Sequence, residues 1–238
     1  MGYFPEIWKI AHVTAIYKRV GPKTDKSNFR PISLLPTLSK ICESVMHDRL
    51  LKHCMENDLI SHKQAAYIKG DSTVSQLLYI VHNIRKCWSE NKIMHGLFLD
   101  VSSAFDKVWH SGLLAKLLQA GVEEKFYDIL SSYLRDRKQI VVVNGEKSDI
   151  LDIKAGVPQG SRLGPLLFLI YMNDISNDIE SDILIFADDT SLFVSGKDPA
   201  ETALILNRDL QKISDWATKW KVKFNTAKTK TIILQIKF

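Results

Sequence analysis

The sequence predicts a mixed fold of helices and strands, α+β or α/β, on three observations. Segments with helical periodicity and segments with strand periodicity alternate along all 238 residues. Asn144 and Gly145 interrupt "KQIVVVNGEKSDILDI", the strongest short signal for a hairpin. Hydrophobic residues make up 45% and charged residues 25% of the chain, enough apolar surface for one large domain or two small ones. No internal repeat and no low-complexity linker divides the sequence.

The elements follow in order. Residues 12–17 read as a short strand, followed by a basic polar loop in "YKRVGPKTDKSNFRPISLL". After Pro36, Leu38, Ile41, Cys42, Val45, Met46 and Leu50 recur at intervals of three and four, hence a helix. Ser72 caps a second helix, with Val74, Leu77, Leu78, Val81, Ile84 and Trp88 along one side. "HGLFLDV" (95–101) reads as a buried strand. Ser111 caps a helix that Gly121 ends, and a further helix covers about 123–134. "KQIVVVNGEKSDILDI" is a hairpin, and "GPLLFLIYMNDI" a buried helix with Pro165 near its first turn. Ile183–Phe186 and Leu192–Val194 are strand-like, with "ADDT" between them. Asp198 and Pro199 begin a long helix to about Trp220, with Leu206, Leu210, Ile213, Ala217 and Trp220 facing inward. "TIILQI" (231–236) closes as a strand.

Charge is unevenly spread. Residues 1–70 carry a net +5, residues 71–207 a net −6 and residues 208–238 a net +6. That layout suits a protein holding a polyanion at its flanks around an acidic centre, and it equally suits solvated lysine faces. The longest apolar run, Leu166 to Met172, is too short to span a bilayer, and the first residues lack a secretory signal pattern. Cys42, Cys54 and Cys87 are odd in number and widely spaced, which fits a reducing compartment and not a zinc site.

Chemistry is concentrated in "IFADDTSLF", where Asp188 and Asp189 sit side by side in an apolar run. Read alone, the pair fits a hairpin turn, because Asp is a common turn residue, and it fits a metal site. Neighbouring side chains on a regular strand point to opposite faces, so the two carboxylates can approach one site only at a tight turn. A third carboxylate is then needed. Asp100 ends the apolar strand Leu97–Leu99, where a charge is costly unless paired or metal-bound. Asp106 falls at a turn or helix start and reads as a local hydrogen-bonding group. One Asp on a strand, 88 residues before an Asp pair at a hairpin, is compatible with two-metal phosphoryl or nucleotidyl transfer.

Six stretches in order resemble the motifs of one family, the reverse-transcriptase domain of non-LTR (LINE-like, jockey-type) retrotransposons. "NFRPISLLPTLSKICESVMHDRL" and "QAAYIKGDSTVSQLLYI" resemble its two fingers motifs. "LFLDVSSAFDKVWHSGLLAKL" is similar to motif A, "AGVPQGSRLGPLLFLIYMNDI" to motif B, "FADDTSLF" to motif C and "KFNTAKTKTIIL" to motif D. The resemblance covers nearly the whole chain.

The resemblance implies an α+β right-hand polymerase, with fingers and a palm whose small antiparallel sheet packs on helices. It makes about residues 1–90 mainly fingers and about 91–238 mainly palm, interleaved around 107–155. It implies RNA-directed DNA polymerase activity on an RNA template, a DNA primer or target and a dNTP. Two Mg2+ ions, or Mn2+, are expected on Asp100, Asp188 and Asp189. It places Phe105 under the sugar, where an aromatic would clash with a ribose 2′-OH. Taken alone, Phe105 is equally a core aromatic. Gln159 and Gly160 are expected to cradle the nucleotide, and Arg30 to contact its triphosphate or the template. Lys18, Arg19, Lys23 and Lys26 are expected on nucleic-acid phosphates. Lys228 matches the motif D lysine, a general acid or positive charge near pyrophosphate. No membrane partner is expected, and such elements work in cytoplasm and nucleus.

The second fingers motif departs from the family's Gly-Phe-Arg: Ala66, Tyr67 and Ile68 stand there, so the aromatic survives and the arginine does not. The chain stops just after the last motif, so neither a thumb nor an upstream endonuclease is expected. A catalytically weak, nucleic-acid-binding relic is the second reading. A different palm-type transferase or cyclase would lack the fingers motifs and "PQG".

Overall fold

The strands sort into two sheets, one in each of two units, and Phe29–Leu34, read from the sequence as the end of a basic loop, is one of them because it pairs antiparallel with the strand before that loop. The computed structural model describes residues 2–67, 70 and 72–235; Ile68, and Ile236 at the end of the final predicted strand, lie outside the described residues. One unit combines Met1–Leu59 with Phe105–Tyr171, the other Ile60–Ala104 with Met172–Phe238. In chain order the elements are strands β1 (Ile10–Tyr17) and β2 (Phe29–Leu34), helices α1 (Thr37–Glu56) and α2 (Thr73–Ser89), strand β3 (Ile93–Leu99), helices α3 (His110–Gln119) and α4 (Glu124–Leu134), strands β4 (Arg137–Val143), β5 (Glu146–Lys147) and β6 (Leu151–Ile153), helix α5 (Gly164–Met172), strands β7 (Asp182–Phe186) and β8 (Asp189–Gly196), helix α6 (Pro199–Trp220) and strand β9 (Lys230–Leu234). The fold is therefore mixed α+β.

In the first unit the strand order is β2-β1-β4-β5, with β6 also paired to β4. β1 runs antiparallel to β2 and parallel to β4. The predicted hairpin turns where foreseen: Val143 pairs with Glu146, and Asn144 and Gly145 have φ of 52° and 87°, the positive pair a type I′ turn requires. β6 then takes the other end of β4, Arg137 to Gln139. Buried Leu113, Leu117, Leu130, Leu134 and Phe168 come from the apolar faces of α3, α4 and α5. Glu43 of α1, fully buried, accepts the N–H groups of Arg162 at 2.8 Å and Leu163 at 3.4 Å, satisfying donors at the start of α5. The Ser111 cap is not observed. α3 begins at His110, with Trp109 in the capping position and no side-chain cap, so Ser111 already lies inside the first turn.

In the second unit the order is β7-β8-β3-β9, antiparallel throughout. Ser72 caps α2 as predicted, its side chain accepting from Ser75 N. The α2 stripe is divided. Ile84 and Cys87 pack with Met94 and Phe193 of the sheet, while Val74, Leu77, Leu78 and Val81 stay exposed. Asp198 caps α6 with Pro199 in its first turn, and Leu206, Ile213, Ala217 and Trp220 are buried. His95 of β3 sits between hydroxyls of Thr202 on α6, 3.2 Å, and Thr231 on β9, 3.0 Å. Among the described residues no helix is long and apolar enough to cross a membrane.

Candidate active site

Asp100, Asp188 and Asp189 all belong to the second unit, at or next to the ends of two neighbouring strands of its sheet. β3 ends at Leu99, which pairs with Thr190, and Asp100 follows directly. β7 and β8 close on a Phe186–Asp189 pair, which leaves Ala187 and Asp188 as the two turn residues. Ala187 has φ of 57°, and Asp188 does not share its positive φ. That sequence of angles suits a type II′ hairpin turn, whose first position normally favours glycine. The turn reading of "ADDT" is thus observed, with Asp188 in the turn and Asp189 directly after it. Asp189 differs from expectation by opening β8 instead of sitting between the strands.

The carboxylates feel one another. Burial pushes the Asp188 carboxyl above the ordinary range; its own backbone N–H pulls it back, and the charges of Asp189 and Asp100 push it further up. Asp189 is also raised, by desolvation first and Asp100 second, with Lys228 opposing. Lys228 is delivered by main-chain pairing. Ser102 N donates to Lys223 O, Val101 bridges Phe224, and Asn225 N donates to Asp100 O at 2.8 Å. The turn after Asn225 then brings the Lys228 ammonium to 3.2 Å and 3.4 Å from the two Asp100 oxygens.

Among the described residues no three His, Cys, Asp or Glu side chains converge closely enough to hold an ion on their own. The donor set still fits a hard divalent cation. Mutually repelling carboxylates supply oxygen ligands and excess negative charge, and magnesium typically takes one or two protein carboxylates and fills its shell with water and substrate phosphates.

Two groups complete the surroundings of the aspartates: Gln64, to which the sequence-based reading gave no part, and Tyr67, which it noted only as the aromatic of the second fingers motif. Gln64 is buried, and its side-chain oxygen accepts from Ala66 N and from Ala187 N in the aspartate turn. Tyr67, at φ 59°, stands close enough to Asp188 that the carboxylate charge adds to burial in raising the phenol. Periodicity carries no signal for either. A glutamine destined to bond a turn 123 residues away looks like any polar loop residue.

The other predicted residues lie in the first unit. Phe105 stacks on Phe168 with ring centroids 4.7 Å apart and planes inclined by 20°. Val157 N donates to Phe105 O and Gly156 N to Val108 O, both at 2.8 Å, so the 155–160 loop lies directly on the Phe105 turn. A Cβ on Gly156 would stand 2.7 Å from Asp106 O. Gln159 donates through Nε2 to Asp106 at 3.0 Å, which matches the local role expected of that aspartate. Gln159 O accepts from Ser33 N at 2.7 Å, and a Cβ on Gly160 would meet Ser33 O at the same distance. Ser33, Asp106, Gly156, Val157 and Gln159 line a cavity of about 360 Å³ with Val13, Pro31, Arg137 and Gln139. Arg30 alternates with Pro31 along β2 and so faces away from it.

The basic loop between β1 and β2 is ordered by its own bonds. Lys18 N donates to Asn28 O and Lys18 Nζ to Ser27 O, each at 2.8 Å. Tyr17 donates to Gly21 O, and Lys23 lies 5.5 Å over the Tyr17 ring. Arg19 takes a φ of 61°, Lys26 opens a short 3-10 helix, and Arg30 follows on β2.

The family described as "Reverse transcriptase (RNA-dependent DNA polymerase)" matches residues 21–238. The RNA-directed DNA polymerase from mobile element jockey of Drosophila melanogaster is 36% identical over 96% of this chain and 26% of its own length. The probable RNA-directed DNA polymerase from transposon BS, also of Drosophila melanogaster, is 33% identical over 95% of this chain and 26% of its own length. The chain thus spans about a quarter of these curated relatives. Telomerase from Candida tropicalis, solved in complex with the TWJ fragment of telomeric RNA, superposes with a TM-score of 0.65 at 15% identity, covering 95% of this chain and 41% of that one. At that identity the likeness speaks for the fold.

Proposed function

The chain belongs to the reverse transcriptase (RNA-dependent DNA polymerase) family, and from that premise we propose that it is the polymerase domain of a jockey-type, non-LTR retrotransposon. It extends a DNA primer on an RNA template by nucleotidyl transfer from dNTP. The observation that carries this reading is that Asp100, Asp188 and Asp189 act on one another's charge beside one sheet, with Lys228 paired to Asp100.

Asp100 and Asp188 would hold the divalent ions, two Mg2+ or in their place Mn2+, with Asp189 as a supporting acid. When bound, those ions supply Lewis-acid activation of the primer 3′-OH and charge neutralisation of the departing pyrophosphate. The protein's own groups do the rest. Lys228 balances Asp100 and stands as a positive charge and proton donor toward pyrophosphate. Phe105, braced by Phe168, presents an aromatic wall to the sugar and disfavours a 2′-OH. The 155–160 loop offers Gln159 and close-approaching backbone at Gly160 to the nucleotide. Arg30 and the loop cations Lys18, Arg19, Lys23 and Lys26 meet nucleic-acid or triphosphate oxygens.

In the right-hand description, about residues 1–90 supply mainly fingers and about 91–238 mainly palm, with elements of both around 107–155. The carboxylates then belong to the palm. The test is primer extension on an RNA template with dNTPs and Mg2+, comparing the chain with Asp188→Ala. Extension by the parent and none by the variant is expected. A parent that binds RNA but extends nothing removes the catalytic claim for this chain and favours the relic.

A further inference from the structure

The turn that carries Asp188 has a hydrogen-bonding problem. In a two-residue hairpin the N–H of the first turn residue lies outside the strand ladder. Here that residue is Ala187, buried and in the left-handed region at φ 57°. A buried backbone N–H needs a partner, and an alanine rarely takes that conformation without outside support. Gln64 provides it. The residue is 5% exposed, and its Oε1 accepts from Ala187 N at 3.1 Å and from Ala66 N at 2.9 Å.

The grip is built from both sides of Gln64. Lys63 O accepts from Ile185 N at 2.9 Å and Ala65 N donates to Ile185 O at 3.0 Å, a parallel bridge centred on Gln64 and Ile185. Gln76 of α2 adds its Nε2 to the same Ile185 carbonyl at 2.9 Å. Lys63–Ala66 therefore runs along the outer edge of β7, and the Gln64 side chain reaches past the end of that pairing to the turn itself.

We propose that Gln64 is a positioning residue for Asp188: by accepting the Ala187 N–H it fixes the turn that aims the Asp188 carboxylate at the site shared with Asp100. The proposal rests on the nucleotidyl-transfer reading of that site. Outer-shell groups of this kind typically change metal affinity or activity by about 10–100-fold when removed.

Two variants separate hydrogen bonding from packing. Gln64→Met keeps length and volume but has no strong acceptor; Gln64→Glu keeps an acceptor oxygen at the same reach. Mn2+ binding, followed by the electron paramagnetic resonance signal of free Mn2+, reads the site without any turnover. Gln64→Met is expected to weaken Mn2+ binding about tenfold or more, with Gln64→Glu close to the parent. In primer extension the Met variant should lose kcat with little change in the KM for dNTP. Equal Mn2+ affinity in a folded Gln64→Met, or equal damage in both variants, overturns the proposal. Should Gln64→Met fail to fold, hydrogen exchange on the parent decides: the Ala187 amide must be protected, and free exchange there overturns the proposal. A parent that binds Mn2+ but extends no primer removes the polymerase reading and leaves Gln64 to be judged by the metal titration. A parent that binds no Mn2+ removes the metal site and this proposal together.

Discussion

Gly156→Ala is the substitution whose effect can be worked out most fully, because Gly145 provides a matched reference. Both glycines hold left-handed backbone, φ 93° and 87°. Around Gly145 no atom lies within 4 Å of a new Cβ. Its alanine variant therefore feels conformational strain alone, about 1–2 kcal/mol, offset by roughly 0.4–1 kcal/mol from the stiffer unfolded chain. The net is about 1 kcal/mol. At Gly156 the new Cβ would sit 2.7, 2.8 and 2.9 Å from O, C and Cα of Asp106. Those are backbone atoms held by Val157 N to Phe105 O and Gly156 N to Val108 O, so they cannot rotate aside. Overpacking adds about 1–3 kcal/mol, for a net loss of about 2–4 kcal/mol. For a chain of this size that lowers Tm by roughly 4–16 °C, against about 2–4 °C for Gly145→Ala. Urea unfolding followed by tryptophan fluorescence and far-ultraviolet circular dichroism measures both, with coincident curves required before free energies are compared. Should the two variants agree within about 0.5 kcal/mol, the close backbone approach is not what makes Gly156 necessary.

Two further outcomes follow from charge. Asp188 and Asp189 have raised carboxyl pKa values in the fold, so their contribution to stability is complete below the unfolded value of 3.8 and is lost as pH rises through the folded values. Without divalent ions, Asp188→Asn is therefore expected to raise Tm at pH 7, by the equivalent of about 1 kcal/mol or less, and to make no difference at the acid end; added Mg2+ should raise the parent's Tm more than the variant's. A lower Tm for Asp188→Asn at pH 7 contradicts the repulsion. Arg137 is 0% exposed and donates one bond to Tyr133 O at 3.1 Å, and its Nε and Nη2 have no hydrogen-bond partner among the described residues. Arg137→Met is expected to fall within about 1 kcal/mol of the parent, or above it, since replacing a poorly compensated buried charge by an apolar chain is often neutral or stabilising; a loss above about 3 kcal/mol in urea unfolding would show that the guanidinium is satisfied after all.

Local signals in the sequence were reliable where one residue does one local job. Ser72 caps α2, Asp198 and Pro199 open α6, and Asn144 and Gly145 turn a hairpin, because caps and turns are decided within a few residues. Ser111 failed as a cap because the chain leaves the 3-10 turn Phe105–Lys107 and enters the helix two residues earlier, through Trp109. Periodicity identified α2 but not its buried side: Val74, Leu77, Leu78 and Val81 share an apolar stripe yet stay exposed. The aspartates of the proposed site stood out in the sequence because a charge ending an apolar strand is unusual. Gln64 was not, because its role depends on a pairing with Ile185 that only the folded chain creates.

The two units are threaded through each other along the chain, and this governs the order in which the molecule can fold. β1 pairs with β4 across more than a hundred intervening residues, and β3 waits for β9, whose first residue is Lys230. Neither sheet can close early during synthesis, and contacts so distant in sequence make for slow folding. Until β9 arrives, β3 is an open edge of an otherwise hydrogen-bonded sheet, a template for pairing with another chain. A nascent or truncated form ending before Lys230 therefore presents that edge for longest, and chaperone dependence is the natural consequence of where the last strand was placed.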